Sequence, residues 1–176
     1  MSAIFSPEMI ILFCWFLVTI AVALMILRKI KPKNVFKTTT PSIVRTAVLI
    51  VASTTLATIL SSAFKQIFQI PRPVEMLVQE IGFSFPSGHA TMTVAFFSAG
   101  IVSLFLFYRN LPAPIIKLKV WVSILIMVGV CASRLVLHVH RLEDVVVGAL
   151  LGLISTIFAQ SFFRKEIFVV DKGKTQ

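Results

Sequence analysis

Crossing the hydrocarbon core of a bilayer takes about 20 predominantly apolar residues in helical form. This chain supplies that length five times, at roughly 8–27, 43–64, 90–108, 120–138 and 144–163. In lipid every backbone N–H and C=O must be paired within the segment, so blocks of this kind form helices. Composition agrees: 57% of the chain is hydrophobic and 14% charged, where a soluble domain carries about a quarter charged residues. The expected fold class is all-α, an integral membrane helical bundle of about five transmembrane helices with no separate soluble domain. Residues 1–42 would hold an N-terminal transmembrane helix and a basic loop, 43–163 a core of four transmembrane helices, and 164–176 a short tail. The first block reads as a retained helix rather than a signal peptide. Its apolar run is long, no basic residue precedes it, its basic cluster "RKIKPKNVFK" follows it, and no small-x-small cleavage site follows.

The formal net charge is +10, which raises nucleic acid as a partner. The placement of the charge answers otherwise. Arg28, Lys29, Lys31, Lys33 and Lys37 fall in one loop, Arg109, Lys117 and Lys119 in another, and Arg164, Lys165, Lys172 and Lys174 in the tail. With five alternating helices these segments share one side, and Arg45 can snorkel to it. Excess Lys and Arg mark the cytoplasmic face. The expectation is a multi-pass protein of the plasma (inner) membrane, with the N-terminus outside and the C-terminus in the cytoplasm. No basic stripe alternates with exposed aromatics, so nucleic acid is not an expected partner. Cys14 and Cys131 both fall within expected spans and read as buried thiols, neither a disulfide nor a zinc site. The very short link "HVHRLED" predicts a tight antiparallel pair for the last two helices. Gly148 and Gly152, spaced G-x-x-x-G, predict close helix packing.

Four cations remain for the outer side: Lys65, Arg72, Arg134 and Arg141. Around them fall Pro73, then "PSGH" at 86–89, then Ser133, His138, His140 and Asp144, so that all three histidines lie on one face. Each is ordinary alone: a lysine at a helix end anchors in the interface, a Ser-Gly pair caps a helix, an aspartate favours a helix N-terminus. Together, and against the charge rule, they fit a phosphate site. Arginine offers phosphate a planar fork and lysine a point charge. Ser87 and Gly88 at a helix start would present backbone N–H groups to an anion. His140 and Asp144, four apart, can pair across one helical turn. The carboxylate would hold one ring nitrogen and leave the other as nucleophile or base. His89 could protonate a leaving oxygen.

At these residues the chain resembles the type 2 phosphatidic acid phosphatase superfamily, whose motifs read K-x6-R-P, P-S-G-H and S-R-x5-H-x3-D. Here they are "KQIFQIPRP" from Lys65 to Pro73, "PSGH" from Pro86 to His89, and "SRLVLHVHRLED" from Ser133 to Asp144. The resemblance spans about residues 43–163 and makes that segment a phosphatase core with its site at the outer membrane face. It implies that His140 attacks phosphorus to form a phosphohistidine, that Asp144 orients it, and that His89 is the general acid. It implies that Lys65, Arg72, Ser87, Gly88 and Arg134 hold the phosphate oxygens, and that neither metal nor other cofactor is used. Many members of the family have six transmembrane helices, against five expected here.

The resemblance implies a lipid phosphate as substrate and the phospholipid bilayer as setting. Bacterial members act on undecaprenyl diphosphate, phosphatidylglycerol phosphate, phosphatidate or lipid A phosphates. Undecaprenyl diphosphate is favoured, because recycling of that carrier on the outer face suits the topology. The superfamily also includes soluble vanadate-dependent haloperoxidases, against which the many spans argue. A non-catalytic lipid-binding protein is a further alternative, against which the intact motifs argue. Oligomeric state is not legible.

Overall fold

The computed structural model describes residues 42–108 and 110–168. The expected helix at 8–27, the basic loop at 28–37, Arg109 and the end of the tail lie outside the described residues. The chain is helical wherever a span is expected within the described part: α1 (Ser42–Phe68), α2 (Gly88–Phe107), α3 (Ala113–Val136) and α4 (Leu142–Phe168). All four are long and apolar enough to cross a membrane. At about 1.5 Å per residue, even the 20 residues of α2 cover the roughly 30 Å of a hydrocarbon core. The protein is a multi-pass membrane helical bundle.

Helices α1, α2 and α4 form the tightly packed unit, and its interior is built of small residues. Ala57, Ala90, Ala95, Ala99, Ser53, Ser61, Thr91, Ser155 and Thr156 are buried there. Lipid tails are as apolar as leucine, so helices in a bilayer gain by close backbone approach and by hydrogen bonds between them. Both devices are present: Ser98 and Thr156 hydroxyls lie 2.7 Å apart, and Thr156 Oγ1 donates to the Ala95 carbonyl at 3.2 Å. The two glycines of α4 mark the closest approach. A Cβ on Gly148 would lie 2.6 Å from the Ser87 carbonyl oxygen, and one on Gly152 would lie 2.5 Å from that of Thr91.

Helix α3 is peripheral. It buries no residue fully and turns Trp121, Leu125 and Val128 outward. It packs on α2 and barely touches α4, which corrects the expected tight α3–α4 pair. The short link holds their ends together, but the packing face of α4 is already taken. Val145, Gly148, Leu151, Ser155, Thr156 and Ala159 are buried on it, with the two glycines against α2 and Ala159 in a cluster with Leu49 of α1 and Ala99 of α2.

The alternation of the four helices brings the C-terminal ends of α1 and α3 to the same side as the N-terminal ends of α2 and α4. The connection 69–87 crosses that side. It is tied down by Ser84 N–H donating to the Ile70 carbonyl at 2.8 Å and Leu77 N–H to the Leu137 carbonyl at 3.1 Å.

Candidate active site

Each motif is placed by a helix terminus. Lys65 occupies the last turn of α1, after which Gln69 takes a left-handed backbone with φ 46°. Ser87 is the N-cap of α2, its hydroxyl accepting from Ala90 N–H at 3.5 Å. Gly88 and His89 therefore open the helix, at the positive end of its dipole. Arg134 lies in the last turn of α3. Asp144 is the third residue of α4, and its Oδ2 accepts the N–H of Arg141 at 2.9 Å, the backward half of a capping box.

His140 is buried between these ends. Its Nδ1 is 3.5 Å from Asp144 Oδ2, and its Nε2 is 3.4 Å from Arg72 Nη1. A carboxylate beside Nδ1 selects the tautomer with hydrogen on Nδ1 and leaves the Nε2 lone pair available. Arg72 reaches it from the 69–87 connection, donating from Nε to the Gly82 carbonyl at 3.2 Å and from Nη1 to the Val139 carbonyl at 3.1 Å. Lys65 Nζ donates to the Phe83 carbonyl at 2.7 Å. Ser87 N–H donates to the Asp144 carbonyl at 2.9 Å, which locks the start of α2 to the start of α4. Among the expected site residues, a chain of contacts thus runs from Arg72 to His140 to Asp144 to Ser87, and Lys65 holds the backbone just before the Pro-Ser-Gly-His turn. Gly88 adjoins Lys65: a Cβ there would meet Lys65 Cε at 4.0 Å and Ser61 Oγ at 3.8 Å, ordinary contacts. Packing alone does not demand glycine at 88. His89 is exposed on the first turn of α2.

Two residues of the cluster were not singled out from the sequence. Ser84 is buried and donates its hydroxyl to Asp144 Oδ2, with Oγ 3.4 Å from His140 Nδ1. The carboxylate that orients the imidazole is therefore itself held by a hydroxyl and a backbone N–H. Glu80 accepts from Arg72 at 2.6 Å on one oxygen and from Arg134 at 3.1 Å on the other. Arg134 reaches the site through Glu80, its Nε on the neighbouring Ser133 hydroxyl at 3.3 Å. The only available signal was position: Ser84 lies two residues before Pro86, and Glu80 is one of two acidic residues in the 69–87 connection.

His138 and His140 are separated by a different device from the one helical spacing predicts. A helix continuing through this stretch would point them about 200° apart. Instead α3 ends at Val136 and His138 takes a left-handed φ of 52°. That turn redirects the chain, leaving His138 exposed and burying Val139 and His140.

The surroundings keep His140 neutral. Burial foremost, then the positive charges of Arg72 and Lys65, push its pKa down from 6.5 to about 4, against the opposing pull of Asp144 and Glu80. A nucleophilic imidazole must be unprotonated, so activity carried by His140 is present above its pKa and lost as pH falls through it. The acid limb of kcat/KM, which reports the free protein, is expected near pH 4. An acid limb at the ordinary histidine value, measured with a soluble ester, would count against this environment. Among the described residues no group of three or more His, Cys, Asp or Glu side chains is placed to hold a metal ion.

Four membrane-spanning helices thus gather a His–Asp pair, a lysine, two arginines and the N-terminus of a helix at one end of a membrane bundle. The chain belongs to the PAP2 superfamily, whose family model matches residues 46–168. BcrC of Bacillus licheniformis, a bacitracin transport permease protein, is 33% identical over 99 residues. That match takes in 56% of this chain and 43% of BcrC, so the chain spans under half the length of that relative. The fold is similar to that of the PAP2-type phosphatidylglycerolphosphate phosphatase from Bacillus subtilis. There the TM-score is 0.62 and identity 24%, over 86% of this chain and 78% of that one. LpxE of Aquifex aeolicus is similar as well, with a TM-score of 0.56 and 21% identity over 86% of both chains.

Proposed function

We propose that this protein is a metal-independent lipid phosphate phosphatase working through a phosphohistidine, with undecaprenyl diphosphate as the favoured substrate. The observation that supports it most directly is the state of His140: Nδ1 against Asp144, Nε2 toward Arg72, and a pKa held well below the working range. In this reading His140 Nε2 attacks phosphorus and forms the N–P bond as the P–O bond to the lipid breaks. His89 gives its proton to the departing oxygen. Water then attacks the phosphohistidine, loses a proton to His89 and releases inorganic phosphate. Lys65, Arg72, Arg134, Ser87 and Gly88 carry the phosphoryl oxygens, so that catalysis is mainly positioning and electrostatic stabilisation.

The substrate choice rests on topology. A site where helix ends meet lies at headgroup level, where a lipid phosphate already resides, and the charge pattern turns that face outward. Purified protein in mixed micelles is expected to release phosphate from undecaprenyl diphosphate in excess EDTA, with vanadate as inhibitor. Phosphatidylglycerol phosphate, phosphatidate and lipid A phosphates in the same panel test the alternatives. No release from any of them, or loss on chelation with recovery in magnesium, would sink the proposal. Halide oxidation with vanadate would instead revive the haloperoxidase reading.

The facing is tested separately. A cysteine introduced as Val78→Cys is expected to react with an impermeant thiol reagent on intact cells, and Asn110→Cys to resist it. The opposite pattern would place the site on the cytoplasmic face.

A further inference from the structure

Glu80 gives one carboxylate oxygen to Arg72 and the other to Arg134, and its side chain is only 11% exposed. The two arginines come from different elements, and Arg72 Nη1 also lies 3.4 Å from His140 Nε2. Two oxygens on one centre, one per guanidinium, is also what a phosphoryl group would present to the same pair. Both anions cannot hold these donors together. A phosphate brought beside an ionised Glu80 meets like charge at close range in a partly desolvated site, where repulsion is poorly screened. Displacement asks only for rotation of the Glu80 side chain, since the connection itself is held at Leu77 and Ser84 on either side. Ile81, next to Glu80 in sequence, is 79% exposed and Val74 of the same connection 99%, so the connection carries apolar surface at the end of the bundle that holds the site.

We propose that Glu80 is an internal competitor, a carboxylate that occupies the Arg72–Arg134 pair until a membrane-anchored phosphate displaces it. The inference deepens the phosphatase reading and rests on it for the identity of that pair as the phosphate site. A tethered carboxylate competes at a high effective concentration. The apparent affinity of any phosphate is reduced by the fraction of molecules in which the pair is open. A lipid phosphate, confined to the bilayer beside Val74 and Ile81, arrives at comparable local concentration. Free phosphate, including the product, and soluble phosphate esters do not. Glu80 thus keeps soluble esters and the released phosphate, present only at bulk concentration, from filling a site that a bilayer-confined lipid still occupies.

The test uses the full chain in detergent micelles as wild type, Glu80→Gln and Glu80→Asp. Binding of inorganic phosphate is read by calorimetry. KM and kcat are read for p-nitrophenyl phosphate and for a lipid phosphate. Glu80→Gln is expected to bind phosphate about tenfold or more tightly and to lower KM for the soluble ester by a similar factor. The lipid KM should fall by a similar factor, because the closed fraction weighs on every phosphate alike. Glu80→Asp, too short to bridge both arginines, should fall between, and it keeps the test open should the neutral variant not fold. Phosphate affinity unchanged or weakened in the variants, or phosphate binding absent from all three proteins, overturns the proposal. A wild type that hydrolyses no lipid phosphate, with tighter phosphate binding in Glu80→Gln, would overturn the hydrolase reading and the role of lipid in displacement, while leaving Glu80 as the occupant of an anion site.

Discussion

Replacing His140 with alanine is expected to abolish turnover, on the order of 10⁴-fold or more as for other nucleophiles that act as part of a unit, and to remove any acid-labile phosphoenzyme. His140 is buried, with Asp144 on one ring nitrogen and Arg72 on the other, and no other described imidazole is so placed. The neighbouring His138 provides the control. It is exposed, in a left-handed turn, so His138→Ala should keep activity within about tenfold, or about 1.4 kcal/mol of barrier. The left-handed backbone of residue 138 costs a side-chain-bearing residue about 1–2 kcal/mol, so His138→Gly is expected to hold or raise the Tm. His89→Ala should be slow with a poor leaving group and partly rescued by p-nitrophenyl phosphate, whose leaving group needs less protonation. An active His140→Ala beside an inactive His138→Ala, in lipid phosphate release, would overturn the assignment and the mechanism with it.

Closing the seam between α2 and α4 is expected to have the largest effect on stability. The Cβ of Gly152→Ala would meet the Thr91 carbonyl at 2.5 Å and the Ala95 nitrogen at 2.9 Å, and that of Gly148→Ala the Ser87 carbonyl at 2.6 Å. These are backbone atoms, which cannot swing aside as a flexible side chain would, so the helices must part. Overpacking of this kind costs about 1–3 kcal/mol per site. The sites are one turn apart on the same seam, so the double variant is expected to lose cooperative thermal unfolding in detergent. Activity should fall ahead of stability in Gly148→Ala, because moving Ser87 breaks its hydrogen bond to the Asp144 carbonyl and separates the start of α2 from the His–Asp pair. Gly129→Ala, whose Cβ would find nothing within 4 Å, is the matched control. Equal melting temperatures for Gly152→Ala and Gly129→Ala would show that the close approach is not needed.

Much of this protein can be read from its residues in order. The described helices follow from apolar block length, because backbone in hydrocarbon must pair within its own segment. The helix ends follow from local chemistry: Ser87 caps α2, and Asp144 reaches back to the N–H of Arg141. The Lys65–Arg72, Pro86–His89 and Ser133–Asp144 motifs were legible for the same reason, since their spacings are local and each sits at a helix terminus. Partnerships across sequence distance were not. Nothing near Glu80 in the chain says that it will lie between Arg72 and Arg134, and nothing near Ser84 says that it will donate to a carboxylate 60 residues away. Those contacts exist because the 69–87 connection folds across four helix ends that packing has already brought together. The seating of α4 against α1 and α2, leaving α3 outside, is equally non-local. A short link constrains only where two helices meet, whereas small residues facing one another along their length decide which helices can come close enough to stay.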